Sequence, residues 1–174
     1  MKRAPGLPGS RQPKRRAPGL PGSRQQRKRQ VRTSALTKQD QELIEAAREA
    51  IKPRYRNDWQ EVGAAMRTRD GRVLTGVNLD AYLGRMAVCA EAVALGRAIT
   101  DIGETGIDTI VAVRHPKPTE KDRSIAVVSP CGSCRELIWD YDRNARVIVP
   151  GEKGPTIALI SELLPNKYRR ERNL

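Results

Sequence analysis

No run of 18 or more apolar residues occurs in the 174-residue chain, and its first residues lack the apolar core of a secretory signal. Neither a membrane span nor export is expected, and the expected setting is the cytoplasm. Histidine occurs once, at His115, which excludes a metal site built from several imidazoles. Aromatic residues make up 3% of the chain, phenylalanine is absent, and no aromatic stands among the basic residues of the first 32 positions, where stacking on nucleic-acid bases would need one. Cysteine is scarce and odd in number, three in all, which fits a disulfide framework poorly. Two of the three form Cys131-x-x-Cys134, a spacing of metal and redox sites, so reduced thiols in use are expected.

Charge of one sign is abundant, at a net +13, but unevenly placed. Residues 1–32 hold 11 of the 33 Lys and Arg and no acid, leaving 22 basic against 20 acidic residues, a net of +2, for the rest. In this stretch Arg3 to Gln12 recurs unchanged as Arg16 to Gln25, among five prolines and four glycines. Such a segment has almost nothing apolar to bury against its ordering entropy, so residues 1–35 are expected to be a disordered basic tail and 36–174 the folded domain. The tail reads either as an arm for nucleic acid or an anionic surface, or as a dispensable extension.

Local patterns set out the domain. Thr37-Lys38-Gln39-Asp40 is a capping candidate, followed by Leu43, Ile44, Ala47 and Ile51 at helical spacing until Pro53. Two short strands, 61–68 and 72–78, flank an Asp70-Gly71 turn. From Ala87 to about Ile102 apolar residues surround a helix that ends at Gly103. Continuous apolar runs at 109–113 and 124–128 predict inner strands, 131–141 a helix, 145–149 a further strand, and 159–165 a short terminal strand and helical turn. The order predicts an α/β sandwich round a mixed sheet of about five strands.

The chemistry concentrates in Cys89-Ala90-Glu91 and Pro130-Cys131-Gly132-Ser133-Cys134-Arg135, each at a predicted helix start. Unpaired N–H groups and the dipole at a helix start favour thiolates, the form that binds zinc. Cys131 and Cys134, three apart, share one side of a first turn. Residues two apart on a helix diverge, so Cys89 and Glu91 serve one pocket only if Cys89 sits at the cap. Three thiolates leave zinc one position for a water that loses its proton readily, and Glu91 is free to move protons. Arg135 is the candidate guanidinium to offset the surplus negative charge. His115, the one nitrogen donor, reads as a solvated loop residue rather than a fourth ligand.

These two motifs resemble the signature of the cytidine deaminase family. Val62-Gly63-Ala64-Ala65, Thr75-Gly76-Val77-Asn78 and Glu162-Leu163-Leu164-Pro165 extend the resemblance over roughly residues 40–170. It implies a three-layer α/β/α fold and one Zn2+ per chain held by Cys89, Cys131 and Cys134, with Glu91 as the proton carrier. It further implies a nucleoside as small-molecule substrate, contacted at Asn78, Asp80, Ala90 and Tyr168, and a homotetramer whose pockets neighbouring subunits complete. The chain departs from the pattern where the family has a glutamate and then an asparagine (Asp80 and Ala81), a phenylalanine (Gln60 or Glu61), and an arginine after Cys-Ala-Glu (Ala92). The blasticidin S deaminase branch also lacks that arginine. Three readings result: deamination of cytidine or deoxycytidine, with a modified nucleoside such as blasticidin S as the alternative substrate; editing of nucleic acid through the tail; and a non-catalytic zinc or redox module.

Overall fold

The computed structural model describes residues 31–168. The repeat-bearing part of the expected tail, 1–30, lies outside the described residues. The elements in chain order are β1 (Thr33–Ser34), α1 (Lys38–Ile51), β2 (Val62–Thr68), β3 (Val73–Val77), α2 (Ala90–Ile102), β4 (Ile107–Arg114), β5 (Ala126–Val128), α3 (Gly132–Tyr141), β6 (Arg146–Gly151), β7 (Gly154–Leu159) and α4 (Ile160–Leu163). Thr37 caps α1 with a reciprocal pair: its hydroxyl accepts from the Asp40 N–H at 3.3 Å, and its own N–H donates to Asp40 Oδ2 at 3.0 Å. Pro53 follows directly, where the helix tightens into a 3-10 turn.

The sheet runs β1-β7-β6-β4-β2-β3, and β5 pairs the last residues of β4. Only the β4–β6 pairing is parallel, so the sheet is mixed, as expected. Among the described residues it has seven strands rather than about five. The added ones are β1, whose two residues pair with β7 just inside the expected tail boundary at 35, and β7, which lies at 154–159 rather than after 159. β7 folds back on β6 through Gly151-Glu152-Lys153-Gly154. A two-residue turn between glycines was the available signal for it.

Alternation along the strands divides the core in two. Ala65, Val111, Val113, Ile148 and Ile157 face α1 through Leu43, Ile44, Ala47 and Ile51. On the other side Ala64, Met66, Ile110, Ala112 and Val147 face α2 and α3 through Ala94, Leu95, Ala98 and Ile138. Both faces use a glycine for close approach. A Cβ at Gly63 would lie 2.6 Å from Ala47 O of α1, and one at Gly76 would lie 2.5 Å from Ala90 O and 2.6 Å from Ala94 N of α2. On the α1 face Arg67, 8% exposed, donates to Asp40 Oδ1 and Asp108 Oδ2, both at 2.8 Å, and to Thr109 Oγ1 at 3.1 Å.

Candidate active site

Helix α2 begins at Ala90, three residues later than the apolar pattern predicts, because the preceding chain is used otherwise. Leu79 and Val88 exchange backbone hydrogen bonds of 2.9 and 2.8 Å, closing a loop over 79–88 and keeping Ala87 and Val88 out of the helix. Cys89 is therefore the cap, with extended backbone (φ −66, ψ 150), and Glu91 stands in the first turn. Gly76 lets that turn lie directly on β3. Across the cleft β5 ends at Val128, and Cys131 caps α3, its sulfur accepting from the Cys134 N–H at 3.5 Å. Two helix starts thus face each other.

The three sulfurs lie within 4.8 Å of one another, and Cys89 Sγ is 3.6 Å from Cys131 Sγ. A disulfide needs about 2.05 Å. Two thiolates each about 2.3 Å from a tetrahedral zinc stand about 3.8 Å apart, so the donor set fits zinc. Burial pushes the Cys89 and Cys134 thiols up, Cys134 further so because of the neighbouring Glu91 and Cys89 charges. Burial acts on Cys131 too, but the Cys134 N–H and the neighbouring thiols outweigh it and hold it below the ordinary value. Three thiolates at this spacing repel one another, and a cation among them removes that penalty.

Glu91 is 6% exposed; burial pushes its carboxyl up, partly offset by hydrogen bonds from its own N–H and the Cys134 thiol. It lines a cavity of about 260 Å³ together with Cys89, Cys131, Asn78, Asp80 and Ala90. The geometry thus brings a buried carboxyl and two of the three clustered sulfurs to one small, largely apolar cavity, with Cys134 buried beside them, an arrangement suited to moving protons beside a metal.

The other expected residues have the following surroundings. Tyr168 is 80% exposed and does not line this chain's cavity, so its expected contact with the base is not made within one chain. Arg135 donates to Pro130 O at 2.9 Å and Leu163 O at 3.1 Å, tying the Cys131 turn to the end of α4. His115 is half-buried rather than solvated, with its ring stacked on Tyr55 at a centroid distance of 3.8 Å. Asn78 uses most of its amide internally: Oδ1 accepts from Glu61 N at 3.0 Å and Val62 N at 2.9 Å, and Nδ2 donates to Trp59 O at 2.9 Å. The sequence reading missed Val62, Ala112, Val128 and Ser129, which also line the cavity. For Val128 and Ser129 the signal was a strand running straight into Pro130-Cys131.

A family model described as the cytidine and deoxycytidylate deaminase zinc-binding region matches residues 37–150. The chain is similar to the blasticidin-S deaminase of Bacillus cereus, 47% identical over 140 residues, covering 80% of this chain and 99% of the relative. It is 30% identical over 112 residues to the cytidine deaminase of Sporosarcina psychrophila, covering 63% and 76% of the two chains. Among solved structures, the cytidine deaminase from Mycobacterium leprae superposes with a TM-score of 0.59 at 27% identity, covering 72% of this chain and 97% of that one. Matched by the family model over most of its length, and by a relative over nearly all of that relative's length, the chain belongs to the cytidine and deoxycytidylate deaminase family.

Proposed function

We propose that this chain is a zinc-dependent deaminase that converts a cytosine-type nucleoside and water into the uracil-type nucleoside and ammonia. The observation that carries this reading is a cluster of three sulfurs within 4.8 Å, two of which, Cys89 and Cys131, line one cavity with the buried Glu91 carboxyl. In this reading Cys89, Cys131 and Cys134 hold one zinc ion, which when bound makes a water nucleophilic near neutral pH. Glu91 does the remaining proton work. It takes a proton from the attacking water and delivers it to the ring nitrogen, then passes the second to the amine as the carbon–nitrogen bond breaks and the new carbon–oxygen bond remains. Ala90, fully buried, forms part of the wall against the base. Asn78 retains one Nδ2 hydrogen and Asp80 one carboxylate oxygen for the sugar.

Similarity to a blasticidin-S deaminase over 99% of that relative, with Asp80 and Ala81 replacing the family's residues, favours blasticidin S over cytidine as the better substrate. The test is ammonia release from cytidine, deoxycytidine, cytosine and blasticidin S by the zinc-loaded chain. Release from none of them ends the deaminase reading; a higher kcat/KM for cytidine than for blasticidin S reverses the substrate preference.

Residues 36–174 constitute the catalytic unit in this reading, so removing 1–30 leaves turnover of free nucleosides unchanged. Oligonucleotide deamination that disappears with those residues would instead favour the editing function. The unit assembles as a homotetramer, a reading supported by the exposure of Leu79 (54%), Leu83 (62%) and Met86 (63%) along one side of the cavity and of Tyr168 at the chain's end. Sedimentation of the zinc-loaded protein tests it, with a monomer as the adverse result.

A further inference from the structure

We propose that Trp59 and Tyr82 form an aromatic subsite at the cavity mouth that takes the C–H face of the nucleoside's sugar, with Asn78 as the positioning residue that holds Trp59 there. The inference rests on the deaminase reading and extends it to the part of the substrate outside the base cavity.

Asn78 is on the cavity wall, yet three of its four amide hydrogen-bonding capacities are used on the backbone of 59–62. Its own N–H adds a fourth link, to Val62 O at 3.0 Å. Its amide is therefore above all a clamp, and what it clamps is the segment carrying Trp59. The turn before it is closed as well, since Arg56 N donates to Gln60 O at 2.9 Å and Trp59 N to Arg56 O at 3.0 Å. Arg56 lies 5.3 Å from the Trp59 ring centre, a cation–π contact that restrains the indole further.

The second segment is the 79–88 loop, which lines the cavity through Asp80, Ala87 and Val88. Its Tyr82 is 98% exposed and still makes an edge contact with Trp59, at a centroid distance of 5.2 Å and 62° between planes. The pair therefore spans two segments that each contribute to the cavity wall, one ending at Val62 and the other starting at Asn78 and Asp80. At about 260 Å³ the cavity is smaller than the roughly 300–1,000 Å³ that engulfs a drug-sized ligand. A base inside it leaves the sugar at the mouth, against the outer face of this ring pair. An aromatic wall with one amide hydrogen and one carboxylate oxygen in reach selects sugars by shape more than by hydroxyl count.

The test measures kcat and KM of the zinc-loaded enzyme on cytidine, 2′,3′-dideoxycytidine and blasticidin S for the wild type, Trp59→Ala, Trp59→Phe, Tyr82→Ala and Asn78→Ala, with zinc content as the folding control. Trp59→Ala is expected to raise KM about tenfold on every nucleoside with kcat within twofold, Trp59→Phe to restore most of it, and Tyr82→Ala to raise KM about threefold. Asn78→Ala is expected to raise the KM of dideoxycytidine as well, because it releases Trp59. A residue that binds only sugar hydroxyls would leave that KM unchanged. KM within twofold of the wild type in both Trp59→Ala and Tyr82→Ala overturns the proposal, as does loss confined to kcat. If the wild type releases ammonia from no nucleoside, the deaminase reading fails first and this proposal with it.

Discussion

The two faces of the sheet are built with the same device and put it to different use. On each, a strand glycine lets a helix approach until a Cβ would collide with its backbone, Gly63 under α1 and Gly76 under α2. Behind Gly63 every buried charge has its counterpart: Asp40 meets Arg67, and Arg67 meets Asp108, which also pairs with Arg146. Behind Gly76 stand the buried Cys134 thiol and Glu91 carboxyl with the more accessible thiols of Cys89 and Cys131, all acids, gathered at two helix starts. The first face is settled by pairing within the protein. The second gathers a donor set that suits a cation, and that is what makes it a site.

The contrast predicts a double dissociation. Glu91→Gln keeps the shape of the α2 face and removes the carboxyl proposed to carry protons, so on that proposal kcat falls about 10³-fold or more while zinc content and Tm hold or Tm rises. Ammonia release with metal analysis checks it, and activity above a tenth of wild type would break the division of labour between the faces. On the α1 face Asp40→Ala removes one of the two carboxylates that pair with the buried Arg67 and the Asp40 half of the α1 capping pair. It should lower stability by about 2–4 kcal/mol in urea titration while the folded fraction keeps its kcat.

A smaller effect separates the two glycines. Gly76→Ala forces the first turn of α2 outward, carrying Cys89 and Glu91 with it, and a displacement approaching 1 Å there costs about 10- to 100-fold in kcat together with weaker zinc retention. Gly63→Ala displaces α1, which holds none of the site residues, and should cost about 1–3 kcal/mol of stability with kcat within twofold. Equal kcat losses in the two variants would mean that the faces are mechanically coupled and that the comparison is too simple.

What could be read in the sequence was local. The capping pair at Thr37 and Asp40, the Asp70-Gly71 turn and the three cysteines with Glu91 carry their meaning within a few residues, and the fold retains them. What could not be read depends on partners far along the chain. Ala87 and Val88 look helical until Leu79 pairs with Val88, and Thr33 and Ser34 look like tail until β7 gives them a ladder. Asn78 is marked by its position in a motif, but its hydrogen bonds to 59–62 belong to the tertiary structure. Tyr168 was placed by motif order alone, which says nothing of the side chain's direction within one chain.

Acid exposes the difference between the faces most gently. Burial pushes the Asp40 carboxyl up, but hydrogen bonds from Thr37 and Arg67 outweigh it and hold it below its ordinary value; Asp108 is lowered in the same way by Arg67 and Arg146. A carboxylate whose folded pKa is depressed binds fewer protons folded than unfolded, so its stabilisation is fully present above the unfolded value of about 4. It is lost as pH falls from there through the folded value, and Asp40 can add at most about 1.4 kcal/mol of slope per pH unit. Urea midpoints between pH 7 and pH 3 should fall on the acid side for the wild type and flatten in Asp40→Asn. Glu91 is shifted the other way, its buried carboxyl raised, so protonation below pH 4 costs the fold nothing at that position. Glu91→Gln should therefore retain the acid limb whole. An acid limb that vanished in Glu91→Gln and persisted in Asp40→Asn would place the pH-sensitive charge on the α2 face and reverse the assignment.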